Sequence, residues 1–262
     1  MHYLELDKIK TFHKKYSFCT LVTNKQEYEE MYASAVQAGF GREDVEFLYL
    51  DNTHSNQFDG FSGINHALKH VQGRYLIFCH QDILFKFDTI EKLDQCIAEL
   101  EEKDRNWAIA GNAGANQKGK LILRISDPHG DNVSIGHFPE LVMSLDENFL
   151  IFNRQYNLAA SANMSGFHLY GLDVCQNAQY LGYNCYVIDF HLLHKSAGKI
   201  DKKFEQAQKN YAQLQQKRQS QHFYVTTCTN FYANQSKLIN FILNIKPIFK
   251  LYKSLKKRGY IN

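Results

Sequence analysis

No stretch of this chain reaches the roughly 18 consecutive apolar residues of a membrane-spanning helix. The opening MHYLELDKIK lacks the apolar run of a secretory leader. The chain is therefore expected neither to span a membrane nor to be exported. Its six cysteines, Cys19, Cys79, Cys96, Cys175, Cys185 and Cys228, include no C-x-x-C pair. Most sit in apolar runs, which predicts buried free thiols in a reducing compartment. Proline is scarce, at three residues, and neither an internal repeat nor a flexible linker is visible. Collagens, disordered tails and small disulfide scaffolds are excluded. Several active-site signatures are missing too. No G-x-G-x-x-G follows the first strand pattern, and G-x-S-x-G and H-E-x-x-H do not occur. Gly114–Lys120 (GANQKGK) begins like a P-loop, but Leu121 replaces the required Ser or Thr, and a strand pattern follows where a helix is needed.

What is present suits a globular protein. The 262 residues are 44% hydrophobic and 22% charged, enough to build one large core. The net charge of +3 hides an asymmetry: from Gln206 onward there are ten Lys and Arg and no acid, so the remainder is acidic. The simplest partition is one domain over 1–220 and a basic extension over 221–262.

Short apolar runs alternate with helical patterns. Strands are predicted over 18–22, 45–50, 75–79, 107–110, 121–125 and 185–189, and helices over 25–38, 62–72, 89–103, 171–182 and 202–218. Residues 126–137 read as a polar loop, and 141–153 as a strand pair. Strand–helix–strand alternation implies an α/β fold with a mostly parallel central sheet flanked by helices. In such sheets ligands bind at the carboxyl ends of the strands. Here those ends carry Thr23-Asn24, Asp51-Asn52 and His80-Gln81-Asp82. One such residue is ordinary turn chemistry, but three successive strands delivering polar groups to one edge single out Asp51 and Asp82. Asp146 and Glu147 are adjacent, so on a strand they point apart and do not form a carboxylate pair for glycoside cleavage.

The runs FCTLVTN, EFLYLDNTHSN and GINHALKHVQGRYLIFCHQDILF resemble the start of a family 2 glycosyltransferase with the GT-A fold. SLDENFLIFNR resembles that family's acceptor-side segment, and FHLYGLDVCQNAQYLGYNCYVIDFHLLHKSAG its later helix, strand and H-x-S-x-G. The resemblance covers roughly residues 16–200. It implies a nucleotide-diphospho-sugar donor, a UDP-sugar first, with Mn2+ or Mg2+ helping the diphosphate to leave. Asp82 matches the last Asp of the metal-binding D-x-D, His80 replaces the first, and His194 matches a His that completes the metal site in relatives. Asp51 matches the acid that contacts uracil or ribose, with Thr23, Asn24, Asn52 and Asn65 lining the same pocket. Asp173 matches the base of an inverting transfer, Asp146 falls on the acceptor side, and His168 and Tyr170 are candidates for stacking on a sugar.

Residues 237–262 hold seven Lys and Arg and no acid. Phe241, Ile245, Ile248, Tyr252 and Leu255 recur at helical spacing, although Pro247 interrupts the run. This reads as a basic amphipathic segment for an anionic membrane surface; nucleic acid is not expected, since no recognition motif accompanies the charge. The sequence thus predicts a cytoplasmic enzyme, peripheral on the inner face of the plasma membrane. It would act on a glycan or lipid-linked glycan in bacterial surface polysaccharide or lipopolysaccharide synthesis, with a homo-oligomer among the expected states. The alternatives are a non-catalytic nucleotide- or glycan-binding module, motivated by His80, and a membrane adaptor built on the tail.

Overall fold

A computed structural model describes residues 12–198, 201–219 and 222–258. The chain divides into two compact units, Met1–Ala207 and Gln208–Asn262. In the first, β1 (Lys14–Val22), α1 (Lys25–Ala35), β2 (Val45–Asp51), α2 (Gly60–His70), β3 (Gly73–Cys79) and β4 (Ile83–Leu84) follow one another. Then come α3 (Ile90–Lys103), β5 (Trp107–Gly111), β6 (Ala113–Ala115), β7 (Leu121–Asp127) and β8 (Gly130–Ile135). The unit continues with β9 (Glu140–Val142), β10 (Ser144–Leu145), β11 (Phe149–Asn153), α4 (Tyr170–Tyr180), β12 (Asn184–Val187) and β13 (Leu192–His194). Helix α5 (Lys202–Gln219) carries the division between units, which falls earlier in the chain than 220.

Seven strands form the central sheet in the order β2-β1-β3-β11-β5-β12-β9. It is mostly parallel, as the alternating pattern predicts; β11 runs antiparallel to both β3 and β5, and β9 antiparallel to β12. Continuous apolar runs suit strands covered on both faces, and β5 and β11 are buried at every residue. A smaller sheet, β10-β6-β7-β13-β4, lies off the end of the first, with β8 paired to β7. The predicted polar loop over 126–137 therefore contains a strand. β8 escapes the sequence pattern because both its faces are polar or half-exposed, leaving no period-2 signal.

Helices start where capping chemistry allows. The Asn24 side chain caps α1, and Asp59 with Ser62 forms a reciprocal capping box on α2. The core centres on aromatic rings. Phe18 on β1 stacks on Phe47 at 4.6 Å and meets Phe40 and Phe85 edge-on at 5.3 and 5.8 Å. Among the cysteines, five are buried and Cys228 is exposed, and all six are free thiols.

The second unit holds the hairpin β14 (His222–Val225) and β15 (Asn230–Ala233), then α6 (Lys237–Asn244) and α7 (Lys246–Lys257). Pro247 sits at the second position of α7, in the first turn, where a missing N–H costs nothing; the interrupted run thus becomes two helices. No helix among the described residues is long and apolar enough to cross a membrane.

Phe18 is fully buried. Phe18→Ala is expected to lower unfolding free energy by ~3–5 kcal/mol in urea titrations, through lost burial plus an unfilled cavity.

Candidate metal centre and cleft

Three elements converge at the carboxyl end of β3. His80, Gln81 and Asp82 form the turn between β3 and β4. β4 pairs antiparallel with β13 in the register His194↔Ile83, and the Lys195 N–H donates to the Asp82 carbonyl at 2.9 Å. That pairing sets His194, 112 positions further along the sequence, against Asp82. His194 Nε2 lies 3.3 Å from Asp82 Oδ1, His80 Nδ1 lies 3.8 Å from the same oxygen, and the two ring nitrogens are 3.4 Å apart. Among the described residues, His80, Asp82 and His194 form the one group of ligating side chains with all donor atoms within 4.8 Å of each other. Ligands about 2.1 Å from a shared ion stand roughly 3 Å apart, so these side chains fit one with small adjustments.

Tyr170, the first residue of α4, orients the group. Its hydroxyl is 2.9 Å from His80 Nε2 and 3.4 Å from the Glu147 carbonyl oxygen. If His80 donates from Nε2 and the phenol donates onward, Nδ1 keeps a lone pair facing Asp82 and His194. A ligating His oriented through its other nitrogen is the usual outer-shell arrangement. Tyr170 approaches because Gly60 is a glycine: a Cβ there would lie 2.1 Å from the Tyr170 ring. The His80 N–H donates to the Asn148 carbonyl at 3.0 Å, tying the turn to the segment before β11.

The electrostatics match a cation site. Burial pushes the Asp82 carboxyl up, but hydrogen bonds from His194 and Ser196 and the two imidazoles outweigh it and hold the carboxyl well below the usual range. For His194, burial disfavours the proton while the Asp82 hydrogen bond and charge favour it, and the net direction is up. His80 goes down, through burial and then the charge of His194. Asp146 adds negative potential at both imidazoles.

His80, Gln81, Asp82, Thr23 and Tyr170 line one cleft of about 230 Å3, floored by Leu21, Phe78 and Cys79. The Gln81 carbonyl oxygen accepts from the N–H groups of Thr23 and Asn24 at 2.9 and 3.0 Å, and its amide donates to Thr23 Oγ at 3.0 Å. So the middle residue of the H-Q-D triplet joins the ends of β1 and β3. A larger hollow of about 710 Å3 lies elsewhere, beside Asn65, Lys69 and Arg154, with no acid among the described residues that line it.

The remaining sequence candidates separate by setting. Asp51 stays half-exposed at the end of β2, with Thr53 donating to Oδ1 and Lys25 4.0 Å from Oδ2; hydrogen bonds from Thr53 hold its carboxyl below the ordinary value. Asn24 is occupied as the cap of α1. Asn52 is buried, and both ends of its amide close the loop onto Phe58. Asn65 bonds both backbone groups of Ala160 and lines the other hollow. Neither asparagine is among the residues that line the cleft beside the cluster. Asp146 is exposed and turns Oδ1 toward the N–H and side-chain amide of Asn148. His168 is half-buried with its ring edge-on to Phe204 at 5.5 Å. Asp173, expected as a base, lies inside α4 with no exposed surface. Its oxygens accept from Ser161 N–H, Ser161 Oγ and Asn177 Nδ2 at 2.7, 2.6 and 3.1 Å, which fastens the preceding loop to α4. In this arrangement no acceptor hydroxyl can reach it. Residues the sequence did not single out for the site are Gln81 as a strut and Asn148 as a backbone tie. The one available signal was proximity in the chain to Asp146 and the H-Q-D triplet.

Imidazole suits Mn2+ better than Mg2+, which prefers oxygen and keeps its water. Calorimetry is expected to show tighter Mn2+ than Mg2+ binding, with Asp82→Ala and His194→Ala each weakening Mn2+ at least ~10-fold. Metal binding needs neutral imidazoles. His194 is raised above its ordinary 6.5, so Mn2+ affinity is expected to begin falling above pH 6.5 as acid is added.

No family model matches the chain. Among solved structures, the mannosyltransferase PcManGT from Pyrobaculum calidifontis, in complex with GDP-Man and Mn2+, is 12% identical, with a TM-score of 0.48 over 78% of this chain and 62% of that one. S. aureus TarS is 11% identical, with a TM-score of 0.49 over 88% of this chain and 46% of that one. In sequence, the product of ORF 6 in the ATP synthase subunits region of Fuscovulum blasticum is 38% identical over 204 residues, which is 76% of this chain and 82% of that protein. The chain belongs to the same protein family as that Fuscovulum blasticum ORF 6 product.

Proposed function

We propose that this protein is a metal-assisted glycosyltransferase that takes a nucleotide-diphospho-sugar, a UDP-sugar first, and passes the sugar to a glycan or lipid-linked glycan. The observation that carries the reading is the His80–Asp82–His194 cluster at the carboxyl ends of β1 and β3 in a mostly parallel sheet. The ordered motifs resembling family 2 glycosyltransferases, of the GT-A fold, support it. His80, Asp82 and His194 would hold Mn2+ or Mg2+, which when bound supplies positive charge against the leaving diphosphate. Thr23 and Gln81 shape the wall beside it. Asp51, half-exposed and carrying negative charge, would accept hydrogen bonds from a ribose or base. The cleft volume of about 230 Å3 is below that of pockets enclosing a whole drug-sized ligand. It accordingly receives the reacting end of the donor.

The tail supports a lipid-linked acceptor. Leu238, Phe241 and Ile242 on α6, Ile245 between the helices and Leu251 on α7 are exposed, and Lys246 and Lys250 stand exposed among them. Apolar side chains amid lysines suit an anionic leaflet, where each Lys adds about 1 kcal/mol. On this reading the enzyme would work at the inner face of a plasma membrane, in surface polysaccharide or lipopolysaccharide assembly.

Titration with UDP, GDP and CDP, with and without Mn2+, tests the donor reading: one nucleotide is expected to bind only with metal and to lose binding in Asp82→Ala. Binding of none would overturn it. The tail is tested by sedimentation with vesicles. The full chain is expected to pellet with vesicles containing phosphatidylglycerol and not with neutral ones, and the chain lacking residues 237–262 to stay in solution.

A further inference from the structure

Phe167 is the exposed aromatic side chain of the cleft that contains His80 and Asp82. The other two rings of its apolar wall, Phe78 and Tyr170, are 1% and 2% exposed, whereas Phe167 is 41% exposed. Its ring stacks on no other aromatic ring among the described residues. A single exposed apolar residue is ordinary on a protein surface. This one is distinguished by how firmly its backbone is held.

Phe167 lies in the link between β11 and α4, between two fastenings to the start of α2. On one side, the Gly166 N–H donates to Asp59 Oδ2 at 2.8 Å, and the Gly166 carbonyl accepts from the Gly60 N–H at 3.0 Å. Gly166 has φ 110, a backbone conformation that glycine adopts without strain. Asp59 is itself fixed, since its Oδ1 accepts from the Ser62 N–H at 2.8 Å to cap α2. On the other side, Tyr170 packs its ring over Gly60, where a Cβ would lie 2.1 Å away. Residues 166 and 170 are thus both set by α2, and Phe167 is presented between them. The neighbours read from the sequence as sugar-stacking candidates do not serve. The Tyr170 ring is buried with its hydroxyl spent on His80, and His168 is absent from the lining and turns its ring to Phe204.

A pyranose ring has a face of C–H bonds and a rim of hydroxyls. The C–H face suits the negative face of an aromatic ring, and the hydroxyls suit the polar wall of Thr23, Gln81 and Asp82. A nucleobase would also stack on an aromatic ring. The sugar, however, is the group bonded directly to the diphosphate, and the diphosphate belongs at His80, Asp82 and His194. Asp51, read as the ribose or base contact, is not in the lining of this cleft. We propose that Phe167 is the stacking platform for the donor's sugar ring and thereby a determinant of donor specificity. The inference rests on the glycosyltransferase reading above.

The test compares affinities for donors and for their free diphosphates. The full chain with Mn2+ is titrated calorimetrically with UDP-glucose, UDP-N-acetylglucosamine and GDP-mannose, and with UDP and GDP. Phe167→Ala is expected to weaken the preferred donor by about 10-fold or more and to leave the matching diphosphate within about 2-fold. Its thermal midpoint is expected to stay at the wild-type value, and Phe167→Tyr, which keeps a flat ring, is expected to retain donor affinity. Equal losses for donor and diphosphate in Phe167→Ala would assign the ring to the nucleoside and overturn the proposal. Unchanged donor affinity in that variant overturns it as well, and so does a wild type that binds a diphosphate but none of the three donors. Failure of the wild type to bind any nucleotide overturns the transferase reading, and this inference with it.

Discussion

The antiparallel pairing of β4 with β13 is the contact on which the site depends. It is short, with two residue pairs in register, Leu193↔Leu84 and His194↔Ile83. Yet it alone carries His194 to Asp82. A one-residue slip would turn every side chain of the strand to the opposite face and send His194 away from the cluster. The pairing is held from behind by β7, whose parallel bonds to β13 anchor Leu192 and Leu193 in the smaller sheet. The small sheet is therefore the clamp of the His80–Asp82–His194 cluster.

Around that clamp, polar groups are settled in a consistent order. Backbone donors near the cluster are occupied: His80 N–H by Asn148, Lys195 N–H by Asp82, Thr23 and Asn24 N–H by Gln81. A buried polar group without a partner costs about 1–3 kcal/mol, so this wiring makes the cleft rigid without spending its functional side chains. The polar side chains that line the cleft are Thr23, His80, Gln81, Asp82 and Tyr170, and His194 meets Asp82 beside it. Asp173 and Asn52, by contrast, act as fasteners. Each is buried and joins a loop to a helix or to its own turn.

The fold was legible wherever hydrophobic periodicity was strong. β1, β2, β3, β5 and α3 fall within a few residues of their predicted spans, because buried strands and an amphipathic helix leave unambiguous patterns. Strand order was not legible. β11 comes late in the chain, yet it enters the sheet antiparallel between β3 and β5. β8 was hidden by its two wet faces. At the site, the strand-end residues of H-Q-D could be read directly, since a parallel sheet presents that edge to ligands. The settings of Asn65 and Asp173 could not be read, because their amide and carboxyl are committed to Ala160 and Ser161, partners far outside any local window or fixed only by loop folding.

By itself the sequence determined the fold class, the polar ends of β1 to β3, and the charge contrast between body and tail. These follow from local pattern and composition, which need no knowledge of who meets whom. Tertiary structure alone decided which candidates share a site. It brought His194 to Asp82 through a strand register and closed Asp173 into the interior. Each depends on residues that only folding brings together, which leaves no periodic trace in the chain.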